Sequence, residues 1–211
     1  MEKLITRDNS VTFVNEEYCE SYHSKTVGAL EEAMVKYVEP AKIKDGMKIL
    51  DFCFGLGYNS LAAIYVASDL KIIGLENDLE IVDKIKVIDV PGEFKDKYKI
   101  IKKLACDLKY HDKNYDIKLI IDDARNTLKK LIENKEMFDA VLFDPFSPKV
   151  CPHLWTQDIF DNLAKVMKKK SRLTTYSCAT HVREKLKKAG FNVIDGPCFG
   201  RKSPSTIGEK K

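Results

Sequence analysis

Four successive apolar runs in this sequence close on acidic side chains, and a glycine turn follows the first. Lys48–Leu61 reads KILDFCFGLGYNSL: a short buried strand, Asp51 at its end, a tight turn at Gly55-Leu56-Gly57 and the start of a helix. Further on, Ile72-Ile73-Gly74-Leu75 closes on Glu76, Ile117–Ile121 closes on Asp122-Asp123, and Phe138–Phe143 closes on Asp144-Pro145-Phe146-Ser147-Pro148. A strand, a glycine turn, a helix, a second strand and an acid make a nucleotide cradle. The glycines let backbone approach the ligand, and the acid at the end of the next strand can hold a ribose diol.

Charge discriminates among the nucleotides. The Gly-x-x-x-x-Gly-Lys-Ser/Thr pattern of a phosphate loop is absent, and a dinucleotide fingerprint would want a third glycine where Ser60 stands. A rim of carboxylates repels phosphates but suits a sulfonium, an ammonium and two ribose hydroxyls. S-adenosylmethionine has those groups and no pyrophosphate, so it is the expected cofactor. Asp144-Pro145-Phe146 then gains meaning, because Asp/Asn-Pro-Pro-Tyr/Phe closes the fourth strand in amino-methylating enzymes; the second proline is missing here. An alkylamine has a pKa of about 10 and is mostly protonated at neutral pH. An aspartate and a backbone carbonyl that accept its N–H groups would aim its lone pair, so the protein's contribution is positioning.

Strands alternating with helices position these groups. Helices are expected over Gly28–Val38 (ended by Pro40), from Asn59 to Ser68, from an Asp78 N-cap to Ile88, around Tyr98–Leu108, over Ala124–Asn134, after a Thr156 N-cap, and over Ala179–Ala189. A loop is expected at His111–Tyr115. Further strands are expected at Val11–Val14, Arg172–Ser177, Phe191–Ile194 and Thr206–Ile207. The alternation predicts an α/β fold with a mostly parallel, doubly wound sheet covered on both faces. Residues 1–45 form an N-terminal extension expected on the cofactor side, and 46–211 the main domain. Tyr18–Ser24 is either packing or a lid over the cofactor.

The chain has 211 residues, 44% of them hydrophobic and 32% charged, with a net charge of +4. No apolar run reaches the ~20 residues needed to span a bilayer, and the N-terminus has no signal-peptide core, so a cytoplasmic protein is expected. Six scattered cysteines without a Cys-x-x-Cys pair argue against zinc and against a disulfide framework. Lysine clusters at 102–103, 129–130, 168–170 and 187–188, with Arg201-Lys202, suit solvated helix ends or a path for a nucleic-acid backbone.

Flanking matches extend well beyond the cradle. Ser10-Val11-Thr12, Tyr22-His23-Ser24, Gly28–Ala33, Phe54-Gly55-Leu56-Gly57-Tyr58-Asn59, Leu154-Trp155-Thr156, Gly190-Phe191 and Phe199–Lys202 together resemble the methyltransferase half of the MnmC family. Those enzymes make 5-methylaminomethyl-(2-thio)uridine at the wobble position of tRNA. The resemblance implies a Rossmann-like class I S-adenosylmethionine-dependent methyltransferase with a seven-stranded sheet. It implies cofactor contacts from Tyr22, Phe54, Gly55, Gly57, Asn59, Glu76 and Asp122 or Asp123. It implies Asp144 at the amine, and Pro145, Phe146, Arg201 and Lys202 toward tRNA. Cys53 stands where that family has a glycine, Asp122-Asp123 where it has Gly-Asp, and Asp144-Pro145-Phe146-Ser147-Pro148 where it more usually has Asp-Gly-Phe-Ala-Pro. Because the sequence stops at Lys211 without the flavin-dependent half, the expected substrate already carries a free aminomethyl group. The competing expectations are a methyl- or aminopropyltransferase acting on a small-molecule or protein amine, and a non-catalytic cofactor- or tRNA-binding scaffold.

Overall fold

In the computed structural model, which describes residues 1–211, the chain opens with three short antiparallel strands: β1 (Lys3–Ile5), β2 (Val11–Asn15) and β3 (Glu20–Ser21). A helical stretch follows as α1 (Ala29–Glu32), a π-helical turn (Ala33–Val38) and α2 (Glu39–Ala41). Then come β4 (Lys48–Phe52), α3 (Tyr58–Val66), β5 (Leu70–Glu76), α4 (Leu79–Val87), α5 (Lys95–Asp107), β6 (Lys109–His111) and β7 (Tyr115–Ile121). The chain continues through α6 (Ala124–Glu133), β8 (Phe138–Phe143), α7 (Gln157–Lys165), β9 (Met167–Thr175), α8 (Thr180–Lys188), β10 (Phe191–Asp195) and β11 (Thr206–Lys210).

The main sheet has the order β10-β11-β9-β8-β4-β5-β7-β6. Five adjacent strands, β9, β8, β4, β5 and β7, run parallel, and β11, β10 and β6 join them by antiparallel pairing. The chain leaves the middle of the sheet in both directions from β4, so the carboxyl ends of β4 and β8 flank the crevice where ligands bind in such sheets. Alternation along the strands builds a core on each face. Ile49 and Leu142 face the layer of α1 to α5, whereas Leu50, Phe52 and Phe143 face α6 to α8.

Two expectations change. The sheet has one strand more than the seven expected, β6, where a loop was expected at His111. Leu108 takes φ 56 at the end of α5, and Asp112 accepts from the amides of Asn114 and Tyr115 at 2.8 Å each. Those two reversals fold Lys109–His111 back onto β7. Pro40 also fails to end the first helical stretch. The Glu39 amide bonds to Met34 O in the π register, and Pro40 then stands in the first turn of α2, where a residue without an N–H is tolerated. Lys42, at φ 56, ends the helix instead. Both expected N-caps form, Asp78 on α4 and Thr156 on α7.

Candidate active site

The glycine loop leaves β4 through three left-handed residues, Cys53 (φ 70), Gly55 (φ 54) and Gly57 (φ 76). A cysteine in this region carries steric strain that glycine avoids, which is why glycine is the fitting residue at position 53. A methyl group added at Gly57 would lie 2.7 Å from Ile101 Cγ2 and 2.8 Å from the Phe54 ring. At Gly55 it would point toward Tyr22 Cδ1 at 3.4 Å, into the gap between the loop and the extension.

Glu76 ends β5 against this loop. One of its oxygens accepts from Gly55 N at 2.8 Å; the other accepts from Asn77 N at 2.8 Å and Asp78 N at 3.0 Å. Burial nonetheless pushes its carboxyl above the usual range. Asp51, the acid of the preceding strand, lies fully buried beneath α3, accepting from Ser60 Oγ at 2.6 Å. It belongs to the core and not to the ligand crevice.

Asp144 follows β8. Tyr37 Oη donates to its Oδ1, and Asn59 Nδ2 donates to its Oδ2 at 3.0 Å. Burial and then the charge of Glu32 push its carboxyl well above the ordinary value, while the two donors act the other way. The loop beyond is pinned from several sides. Tyr176 Oη donates to Pro145 O at 3.1 Å, Trp155 Nε1 donates to Phe146 O at 2.8 Å, and Glu20 accepts from Ser147 N at 3.0 Å and from Ser147 Oγ at 2.5 Å. Tyr18 stacks on Phe146 with ring centroids 4.8 Å apart, and Tyr22 packs on it at 4.9 Å. Tyr22 Oη donates to Asp78 at 2.6 Å. The extension thus spans the crevice from the β5 side to the β8 side.

A cavity of about 1040 Å³ lies between these parts. Tyr22, Gly55, Glu76, Asp122, Asp123, Asp144, Pro145, Phe146 and Arg201 all line it. Asp122 pairs with Lys130 at 2.8 Å; Asp123 caps α6 and pairs with Arg125. Three expected contacts lie behind the wall. The Phe54 ring is buried in the core against Gly57 and Gly74, Gly57 opens α3, and Asn59 holds Asp144. Lys202 is exposed in the loop between β10 and β11, beside Arg201, whose Nη2 donates to Tyr176 O. Sequence reading passed over Tyr37, Glu20, Glu32, Lys36 and Tyr176. Tyr37 falls on the apolar stripe of a helix and reads as core; only its hydroxyl reaches the site.

A doubly wound sheet with an open glycine loop, an acid on the next strand and an aspartate loop two strands on is the architecture of a Rossmann-like methyltransferase. A family described as S-adenosyl-L-methionine-dependent methyltransferase matches residues 89–211, and the chain belongs to it. MnmC2 from Aquifex aeolicus superimposes with a TM-score of 0.86 at 27% identity, over 100% of this chain and 70% of that one. The bifunctional tRNA 5-methylaminomethyl-2-thiouridine biosynthesis protein MnmC of Leptospira interrogans is 26% identical over 97% of this chain and 35% of its own length. An uncharacterized protein of Methanocaldococcus jannaschii is 34% identical over 97% of this chain and 58% of its own length. The chain therefore spans about a third of one of these relatives and somewhat over half of the other. It is MnmC-like in its methyltransferase region.

The cofactor is S-adenosylmethionine, and the cavity suits it. The space over Gly55 would be filled by any side chain there, and the carboxylates of Glu76, Asp122 and Asp123 are acceptors for ribose hydroxyls and an adenine amino group. The cavity presents these acids to a cationic sulfur without a basic cluster of the kind that holds phosphates.

Proposed function

We propose that this protein N-methylates 5-aminomethyl-(2-thio)uridine at the wobble position of tRNA, giving the 5-methylaminomethyl form. The observation that carries the reading is Asp144 with its Pro145-Phe146 loop, lining the same cavity as Gly55 and Glu76. A donor site and an amine acceptor in one cavity suit transfer from sulfur to nitrogen. The MnmC relatives, named for tRNA 5-methylaminomethyl-2-thiouridine biosynthesis, supply the substrate class.

When bound, S-adenosylmethionine supplies a methyl group on a positively charged sulfur. Glu76 would hold the ribose, Asp122 or Asp123 the adenine, and the Gly55 loop the amino-acid end. Phe54, Gly57 and Asn59 would serve the cofactor through the shape of the loop. Asp144 would accept N–H from the amine and aim its lone pair. Residues 1–45 would act as a cover over the cofactor and the base, with Tyr18, Tyr22 and Phe146 offering aromatic faces to an unstacked uracil. Arg201 and Lys202 would meet the RNA backbone at the mouth.

No helix is long and apolar enough to cross a membrane, and a tRNA substrate fits a cytoplasmic enzyme. Incubation with labelled methyl donor and a tRNA carrying 5-aminomethyluridine, followed by nucleoside mass spectrometry, tests the reading. The expected product is one added methyl on the wobble nucleoside, and an unmodified nucleoside overturns it. Alanine at Arg201 and Lys202 is expected to weaken RNA binding evenly across sequences and to reduce the salt slope by about 1 per lost phosphate contact.

A further inference from the structure

The wall beside Asp144 holds a second polar group that the reading above does not use. Glu32 closes α1 and is followed at once by the π-helical turn. Bonds of the i→i+5 kind bring residues 36 and 37 both above residue 32, whereas an α-helix would turn one of them away. Lys36 consequently reaches back to Glu32 Oε1 at 2.6 Å while its neighbour Tyr37 reaches Asp144. Both members of the Glu32–Lys36 pair are largely buried, with side-chain exposures of 13% and 6%, and both line the cavity. Lys36 satisfies one oxygen. The other, Oε2, accepts no hydrogen bond within the protein; its nearest basic neighbour is Nδ1 of His23, at 4.0 Å.

His23 is an independent polar group on the same gap. Its side chain is 8% exposed, lines the cavity, and has no hydrogen bond to either ring nitrogen, only one at its backbone amide. Its ring packs on Tyr58 with centroids 5.2 Å apart. A buried imidazole whose ring makes no hydrogen bond, 4.0 Å from a carboxylate oxygen that accepts none, leaves two polar groups facing one gap. Burial holds this imidazole below its usual range, so a ring nitrogen is available as an acceptor. Glu32 and Asp144 are linked through adjacent residues, since Lys36 donates to the first and Tyr37 to the second, and both acids line the cavity.

From this geometry we infer that Glu32, fixed by Lys36 and backed by His23, is the second acceptor of the amine site, so that the cavity recognises an alkylammonium group between Glu32 and Asp144. The inference rests on the amine-methylation reading and deepens it. A primary ammonium carries three N–H donors, and Asp144, already taking two protein hydrogen bonds, is poorly able to satisfy them alone. Glu32 Oε2 supplies a further acceptor, so that a donor-rich ammonium is favoured over a hydroxyl at the methyl-transfer position.

Two probes separate this inference from the choice of substrate. The first is sinefungin, a cofactor analogue with an amino group at the methyl-transfer position, compared by calorimetry with S-adenosylhomocysteine, which lacks it. In Glu32→Gln the preference for sinefungin is expected to fall about tenfold, with affinity for S-adenosylhomocysteine within twofold of wild type. The second is an anticodon stem-loop carrying 5-aminomethyluridine, for which KM is expected to rise at least tenfold. Because Glu32→Gln strands a buried lysine, Glu32→Gln/Lys36→Met is measured alongside, and the same two losses are expected in a chain whose buried charge is balanced. Unchanged sinefungin preference in both variants overturns the inference, whatever the RNA result. A wild-type enzyme inactive on the stem-loop but showing the Glu32-dependent sinefungin preference supports the ammonium site and overturns only the choice of RNA.

Discussion

Asn59 Nδ2 donates to Asp144 Oδ2 across 3.0 Å, so the first turn of α3, which carries the glycine loop, is tied directly to the acid that ends β8. The Asn59 side chain is otherwise buried, and its Oδ1 has no partner. Cofactor loop and acceptor acid are thereby held in one register, together with the Asp144 amide, which donates to Phe52 O at 3.0 Å.

That tie separates two roles for Asn59. Asn59→Leu keeps the volume and removes the donor to Asp144. Turnover on the amine substrate is expected to fall on the order of tenfold to a hundredfold, with cofactor affinity nearly unchanged. Steady-state kinetics with calorimetric titration of S-adenosylhomocysteine makes the check. A loss confined to cofactor affinity would return Asn59 to the cofactor contacts first expected for it.

Glu20 holds the Asp144 loop from the extension, through Ser147 N at 3.0 Å and Ser147 Oγ at 2.5 Å. Glu20→Ala leaves both donors without their partner and frees Tyr18 and Tyr22 from their place over Phe146. The expected result is a fall of roughly tenfold in kcat/KM for RNA, with stability changed by about 1–2 kcal/mol. Faster amide hydrogen exchange confined to β3 and the 145–150 loop would accompany it.

Phe54 is a core residue at the edge of the loop. Its ring fills the space left by the missing side chains of Gly57 and Gly74; a methyl group at Gly74 would lie 2.6 Å from Phe54 Cδ2. Phe54→Ala is expected to cost about 3–5 kcal/mol in urea unfolding. Gly74→Ala is expected to cost about 1–3 kcal/mol from overpacking. Full stability of Phe54→Ala with a large loss of cofactor affinity would contradict this assignment.

Asp51 makes stability depend on pH in an unusual direction. Burial pushes its carboxyl from 3.8 up to about 7 in the folded chain, against the hydrogen bond from Ser60. Between these values the folded chain keeps a proton that the unfolded chain has lost. Its stabilising contribution is therefore complete below about pH 4 and is lost as pH rises through about 7. Asp51→Asn removes this dependence and is expected to be more stable than wild type at pH 8 by on the order of 2–4 kcal/mol, with little gain at pH 4. Urea titrations at both pH values check it, and parallel curves would count against the buried acid.

The parts of this protein that depend on local chemistry were legible in the linear chain. Gly55 and Gly57 need φ values that other residues resist, Asp78 and Thr156 cap their helices, and apolar runs ending in Glu76 and Asp144 mark strands that point at a ligand. What depends on separation in space was not. Phe54 reads as a loop residue until Gly74, from a different strand, makes room for its ring. The π register after Glu32 comes from bonds such as Glu39 N to Met34 O, which no spacing rule announces. β6 exists because two local reversals happen to lie beside β7. Asp51 and Asp144 look alike as strand-end acids, yet the first ends beneath α3 and the second in the cavity. The sequence determined which residue types stand at the strand ends, because local backbone sterics and periodicity act within a few residues. Only the tertiary structure decided which of them share a cavity, because burial and hydrogen-bond partners are set by elements distant in the chain.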